Sequence, residues 1–177
     1  MSPLRTRLSQ ATRDPALFPM DSDEALGQAL LARVEGMVGQ AKLPRPALLL
    51  LGPEQITQVD LLPVQQAGAN MHRFIAACTR VDLEVNVVAL VGVMGLRLSR
   101  QSEQSVPAAM VFLERPDCSW WSAQRVLKDR QLSDELPVRL RCAEEGWPRP
   151  GGLGGWWSRG RFEGLQLKLH RDAPTVH

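Results

Sequence analysis

Three cysteines could supply a nucleophile in this chain: Cys78, Cys118 and Cys142. Cys118 lies in a Pro-Asp-Cys-Ser sequence directly before a predicted helix, and a helix N-terminus favours the thiolate form of a cysteine. Cys78 falls on the apolar side of another predicted helix, where an inert thiol is expected. No base can be assigned to Cys118, so it is an isolated candidate for the nucleophile of a cysteine-dependent hydrolase or transferase.

Metal and phosphate chemistry each need a pattern that this sequence does not contain. The histidines are His72, His170 and His177, and no two lie three to five residues apart. Phosphate-binding loops place glycines between a strand and a helix, whereas the glycines at 151–155 follow no apolar strand. The sequence therefore predicts no metal and no cofactor, and it favours a protein that is not an enzyme.

The most unusual stretch is the Gly/Trp/Arg-rich loop at 146–161, which contains three tryptophans, three arginines and no acidic residue. Tryptophan and arginine dominate protein–protein hot spots, and aromatic rings interleaved with arginines can also stack on the bases of nucleic acid. Alternatively, the tryptophans of a long loop fold back on their own domain. The leading prediction is that six residues contact a partner: Trp147, Arg149, Trp156, Trp157, Arg159 and Arg161.

Composition sets the class of protein. The chain has 177 residues, 44% of them hydrophobic and 23% charged, as expected for a single globular domain. The net charge is +2 overall, with −1 over residues 1–118 (11 basic, 12 acidic) and +3 over 119–177 (10 basic, 7 acidic). An anionic partner should therefore meet the C-terminal third. The odd cysteine count and the lack of a secretory signal predict a cytoplasmic protein with no membrane partner.

The elements that must position these residues are organised around an apolar run at 85–98, which predicts a central strand covered on both faces. Local hairpins dominate the predicted order, so the fold class is α+β: a mixed, mostly antiparallel sheet with about three helices packed on it. The other predicted elements are helices at 22–39, 69–80 and 120–130, and strands at 47–51, 56–64, 108–113, 138–142 and 165–169.

The domain organisation predicted from this pattern has three parts. Residues 1–20, interrupted by prolines, should form a flexible N-terminal arm. Residues 21–171 should form one α+β domain that includes the loop at 146–161. Residues 172–177 should be a frayed tail.

The layout from Asp23 to Pro116 resembles the MPN/JAB domain family. The resemblance lies in the element order and in a leucine-rich strand that ends at Gly52, and it covers about half of the chain. Metallopeptidases of that family need a His-x-His, a following Ser and Asp, and a Glu near the first strand. This chain has Leu96-Arg97-Leu98 at the first position and Arg45 or Ala47 where the Glu would stand. The resemblance implies a metal-free, non-peptidase scaffold.

Together these observations predict a non-enzymatic binding or assembly protein of the scaffold type. It would act through protein–protein contacts, with a foreign protein or with a second copy as a homodimer. The contacts would use the C-terminal Trp/Arg segment and sheet edges. Nucleic-acid binding is the alternative binding function, through Arg149, Arg159 and Arg161 with Trp156 and Trp157. A Cys118-dependent hydrolase is the enzymatic alternative.

Overall fold

The fold is built on an antiparallel sheet, seen here in a computed structural model that describes residues 8–40, 43–79, 85–96, 103–133, 139–142 and 154–157. Its strands are β1 (Leu8–Thr12), β2 (Ala47–Leu51), β3 (Gln55–Asp60), β4 (Val87–Leu96), β5 (Val106–Glu114), β6 (Trp120–Lys128), β7 (Gln131–Leu132) and β8 (Arg139–Cys142). Its helices are α1 (Asp23–Gly39), α2 (Leu62–Gln66) and α3 (Met71–Cys78). The strand order is β1-β3-β2-β4-β5-β6-β7, and β8 pairs with β6. Three helices on one sheet confirm the predicted α+β class.

The predicted central strand is confirmed as β4, which lies between β2 and β5. Val87 and Ala89 point into the apolar cluster beneath α1, whereas Val88 and Leu90 point into the cluster on the opposite face. Burial on both faces explains why this strand reads as a continuous apolar run instead of an alternating one. Further along β4, Gly92 has a φ of 135°, and a side chain there would collide with the backbone of Arg45.

Helix α1 covers one face of the sheet and packs on β4, β5, β6 and β7. The N-terminal cap is Ser22, whose Oγ accepts a hydrogen bond from the Ala25 amide at 3.0 Å. The apolar side of α1 is buried in the core, apart from Met37, which is half-buried. Two ion pairs hold the helix to the sheet: Arg115–Asp23 and Arg125–Glu35, the second with an N–O distance of 3.2 Å.

Two glycines of α1 provide a matched test of this packing. A methyl group on Gly27 would overlap the Trp121 ring, whereas a methyl group on Gly36 would meet nothing within 4 Å. We expect Gly27→Ala to destabilise the fold by about 1–3 kcal/mol, because overpacking outweighs the gain in helix propensity. Gly36→Ala should stabilise it by about 0.5–1 kcal/mol. Urea unfolding of both variants checks this, and equal effects would contradict the packing of α1 on β6.

The third predicted helix, at 120–130, is wrong: the segment is strand β6, paired with β5 from Trp120 to Val126. The residues before β6, which were predicted to start that helix, instead form a tight turn. In this turn Asp117 Oδ1 accepts a hydrogen bond from the Ser119 amide at 2.9 Å. Because both faces of β6 are buried, the strand lacks the alternation that would have revealed it. Trp121 therefore packs under α1, and Trp120 packs on the other face.

Two predicted boundaries also differ. The strand predicted at 56–64 ends at Asp60, and α2 begins at Leu62 with Pro63 in its first turn, where a proline is tolerated. The arm predicted at 1–20 contains β1, which pairs with β3 over all five of its residues. Its polar sequence gave no strand signal, because β1 lies at the margin of the sheet. The strand predicted at 165–169 and the tail at 172–177 lie outside the described residues.

Candidate binding surface

Cys118 lies in the turn between β5 and β6 and not at the start of a helix. Its φ is 66°, its side chain is half-buried, and its amide donates a hydrogen bond to the Arg115 carbonyl at 2.9 Å. Next to it, the Asp117 carboxyl accepts hydrogen bonds from the hydroxyl and the amide of Ser119. These bonds, the hydroxyl's more than the amide's, hold the pKa of Asp117 below its usual value. The reason for expecting a reactive thiolate, a helix N-terminus at Cys118, is therefore absent from this site.

The other described thiol, Cys78, is buried in α3, and burial raises its pKa from 9.0 to about 12. A protonated, buried thiol is a poor nucleophile. We therefore expect iodoacetamide at pH 8 to alkylate Cys118 at least about tenfold faster than Cys78 in the native protein, with equal rates in 6 M guanidinium. Peptide mass spectrometry of timed samples measures both rates. Equal native rates would show that α3 does not bury Cys78.

Of the six predicted partner-contact residues, the structure describes Trp156 and Trp157. Trp156 has 0% of its surface exposed and packs edge-on against Phe112, with ring centroids 5.2 Å apart. Trp157 is half-buried, and its Nε1 donates to the Glu114 carbonyl at 3.3 Å. Trp147, Arg149, Arg159 and Arg161 lie outside the described residues, so partner contact through this segment stays a prediction.

Glu114, which was not among the predicted site residues, anchors this segment. Its carboxylate is fully buried, and its two oxygens accept hydrogen bonds from the amides of Gly155 at 2.6 Å and Trp156 at 2.9 Å. Gly154 and Gly155 have φ values of 86° and 70°, which only glycine adopts readily. Successive amides in such a turn form an anion-binding concavity. The successive amides of Gly155 and Trp156 therefore form such a site, and Glu114 of the same chain occupies it.

The second feature is an open groove on the α1 face of the sheet. Because α1 packs on the β4–β7 half, the β1-β3-β2 half of that face forms the floor of a groove of about 810 Å³. The parity of the strand pairs places Ala47, Leu49, Ile56 and Gln58 on this floor. Helix α1 forms one wall with Leu30, Arg33, Val34 and Met37. The turn after β1 contributes Asp14, Leu17 and Phe18.

The groove is apolar inside and charged along its rim. Its walls and floor are mostly hydrocarbon, and the exposed arginines that line it are Arg33 and Arg45. Leu17, at the mouth, is 56% exposed, which is unusual for a leucine of this domain. Concave, mostly apolar sites of roughly 300–1,000 Å³ with a few polar groups are typical ligand sites.

Strand β1 forms the outer border of the same groove. Ser9, Ala11 and Thr12 line the groove, and four of the five β1 residues are exposed. Among the described strands, β1 pairs with β3 alone. The groove and this edge therefore form one continuous surface at one end of the sheet.

Comparison with known proteins gives no further guide to this surface. No family model, curated protein or solved structure matches the chain. Within the described part of the chain, no three His, Cys, Asp or Glu side chains come together in a way that could hold a metal ion. Nor is any helix in that part long and apolar enough to cross a membrane.

Proposed function

We propose that this protein is a non-enzymatic assembly protein that pairs with a second copy of itself through strand β1. The observation that carries the proposal is that an exposed edge strand lies beside an apolar groove. Edge strands are templates for adding a further strand, and many proteins use them to bind an extended segment of a partner.

The sequence of β1 supports pairing, because the strand lacks the charges, prolines and bulges that protect many edge strands. The five residues Leu-Ser-Gln-Ala-Thr include no charge and no proline, and the register with β3 is continuous, without a bulge. The first charged residue after the strand, Arg13, is directed into its own chain. Its Nε and Nη1 donate to the carbonyls of Pro53 and Phe18 at 2.7 and 2.9 Å.

A two-fold axis through Gln10 gives a self-complementary pair of β1 strands. In this register, Leu8 faces Thr12 of the second copy, and Ser9 faces its Ala11. Within residues 8–12 no charges are present, so the strand itself is self-complementary, as an isologous interface requires. Because only five residues pair, the dimer should be weak and dependent on concentration, with a Kd of about 1–100 μM.

Light scattering of purified protein between 5 and 300 μM tests the proposal. We expect the mass to rise from the 19.6-kDa chain mass towards twice that value. Gln10→Lys places like charges at the axis and should keep the protein monomeric with an unchanged melting temperature. The control, Gln66→Lys on α2, is another exposed Gln→Lys change and should leave the dimer intact. A wild type that is monomeric at 300 μM would refute the proposal.

The resemblance to metal-free MPN/JAB scaffolds is consistent with an assembly role and forms part of the proposal. The helix, hairpin and central strand on which it was based correspond to α1, β2–β3 and β4. At the metal-site position, β4 ends at Leu96, and Arg97 and Leu98 lie outside the described residues. We also propose a cytoplasmic location, supported by the three dispersed cysteines.

A further inference from the structure

We propose that the groove beside α1 binds a single-chain amphipathic carboxylate, with the hydrocarbon chain on the groove floor and the carboxylate at Arg33 and Arg45. This site borders the β1 edge described above, but ligand binding in it does not require β1 to pair with a second copy. The inference rests on three properties of the groove: its shape, its apolar floor, and the hydrogen bonds and ion pairs of its charged side chains.

The shape comes from the fold. Helix α1 covers only the β4–β7 half of its face, and the remaining half is left as a trough with α1 as one wall and the turn after β1 as the other. Its volume of about 810 Å³ is that of a small-molecule site. Leu49 and Ile56 form the apolar part of the floor, and Met37, an adaptable side chain, lies on the wall.

The acidic and basic side chains of the groove differ in the hydrogen bonds and ion pairs that they already form. Asp14 accepts a hydrogen bond from the Ala16 amide at 2.9 Å, and Asp60 accepts one from the Leu62 amide at 3.0 Å. Both acids are thus engaged by their own backbone. The two arginines are different: neither forms an ion pair with a residue that the structure describes.

The arginines therefore supply the N–H donors at the rim that a carboxylate can accept from. The guanidinium carbon of Arg33 lies 5.6 Å from the centre of the Phe18 ring, which holds the side chain at the mouth of the groove. A guanidinium can donate two parallel hydrogen bonds to a carboxylate. An apolar floor beside two guanidinium groups that form no ion pair with a described residue is complementary to a molecule with a hydrocarbon chain and one carboxylate.

Isothermal titration with three probes, each below its micelle-forming concentration, tests chain and charge separately. The probes are dodecanoate, dodecyltrimethylammonium, which has the same chain and the opposite charge, and butyrate, which has the same charge and a short chain. We expect dodecanoate to bind at least about tenfold more tightly than either of the other two. Equal binding of the two twelve-carbon probes would show unspecific apolar binding and would overturn the proposal, as would no heat from dodecanoate at 1 mM.

Three variants locate the site. Gln58→Trp fills the exposed part of the floor on β3 and should abolish dodecanoate binding without unfolding the sheet, because tryptophan suits a strand. Arg33→Gln combined with Arg45→Gln should weaken binding about tenfold. The matched control is Arg73→Gln, an exposed position on α3, which should bind normally. Binding that survives Gln58→Trp would place the ligand elsewhere and refute the assignment.

Discussion

Replacing Glu114 with glutamine will lower the free energy of unfolding by about 2 kcal/mol or more and expose Trp156 to water. The carboxylate oxygens accept hydrogen bonds from two successive amides, those of Gly155 and Trp156. A glutamine side chain keeps one acceptor and turns an N–H donor towards the other amide. One buried backbone N–H is then left without an acceptor, and the remaining bond loses its charge assistance.

The measurement is urea unfolding followed by tryptophan fluorescence, with native emission maxima recorded in parallel. The matched control is Glu103→Gln, the same change at an exposed acid before β5, which should alter stability by less than about 0.5 kcal/mol. If Glu114→Gln is as stable as the control and its emission does not shift to the red, the carboxylate does not hold residues 154–157.

Replacing Trp156 with alanine will cost about 3–5 kcal/mol of stability, because it empties a fully buried site in the core. The ring packs edge-on against Phe112, which in turn stacks on Trp120 at 5.9 Å. Its Nε1 also donates a hydrogen bond to His72 Nδ1 at 3.4 Å. Truncation therefore loses apolar burial and contacts to two elements of the domain.

Trp157→Ala is the comparison. Trp157 is half-buried, so its truncation should cost only about 1–2 kcal/mol. The double variant of Trp156→Ala with Glu114→Gln should be less destabilised than the sum of the single changes, because both release the same segment. Denaturant titrations of the wild type, the three single variants and the double variant give this comparison. A Trp156→Ala protein of wild-type stability that loses binding to a partner would contradict the core position of this ring.

Local sequence patterns predicted part of this fold correctly. Apolar runs and helical spacing predicted β4, α1 and the β2–β3 hairpin, because those patterns reflect local periodicity and burial. Strand β6 was predicted as a helix because both of its faces are buried. Its sequence therefore lacks the alternation of apolar and polar residues that indicates a strand. The turn that precedes it was mistaken for a helix cap, since Asp and Ser serve both structures.

The candidate site depended on contacts between residues far apart in the chain. Glu114 meets Gly155 across 41 positions, and no local pattern predicts that pairing. One signal was present: an acid two residues after Phe112 on a buried strand must face the same core and needs a partner there. The groove results from how far α1 extends over the sheet, a tertiary property that the sequence of α1 does not record.

The most direct test of the assembly role is hydrogen exchange of residues 8–12 measured at 5 and 300 μM protein. If β1 pairs with a second copy, its outward amides become hydrogen-bonded, and exchange in this segment slows as the mass doubles. The Gln10→Lys protein should exchange at the same fast rate at both concentrations. A wild-type mass that doubles while residues 8–12 exchange at an unchanged rate would place the interface elsewhere and contradict assembly through β1.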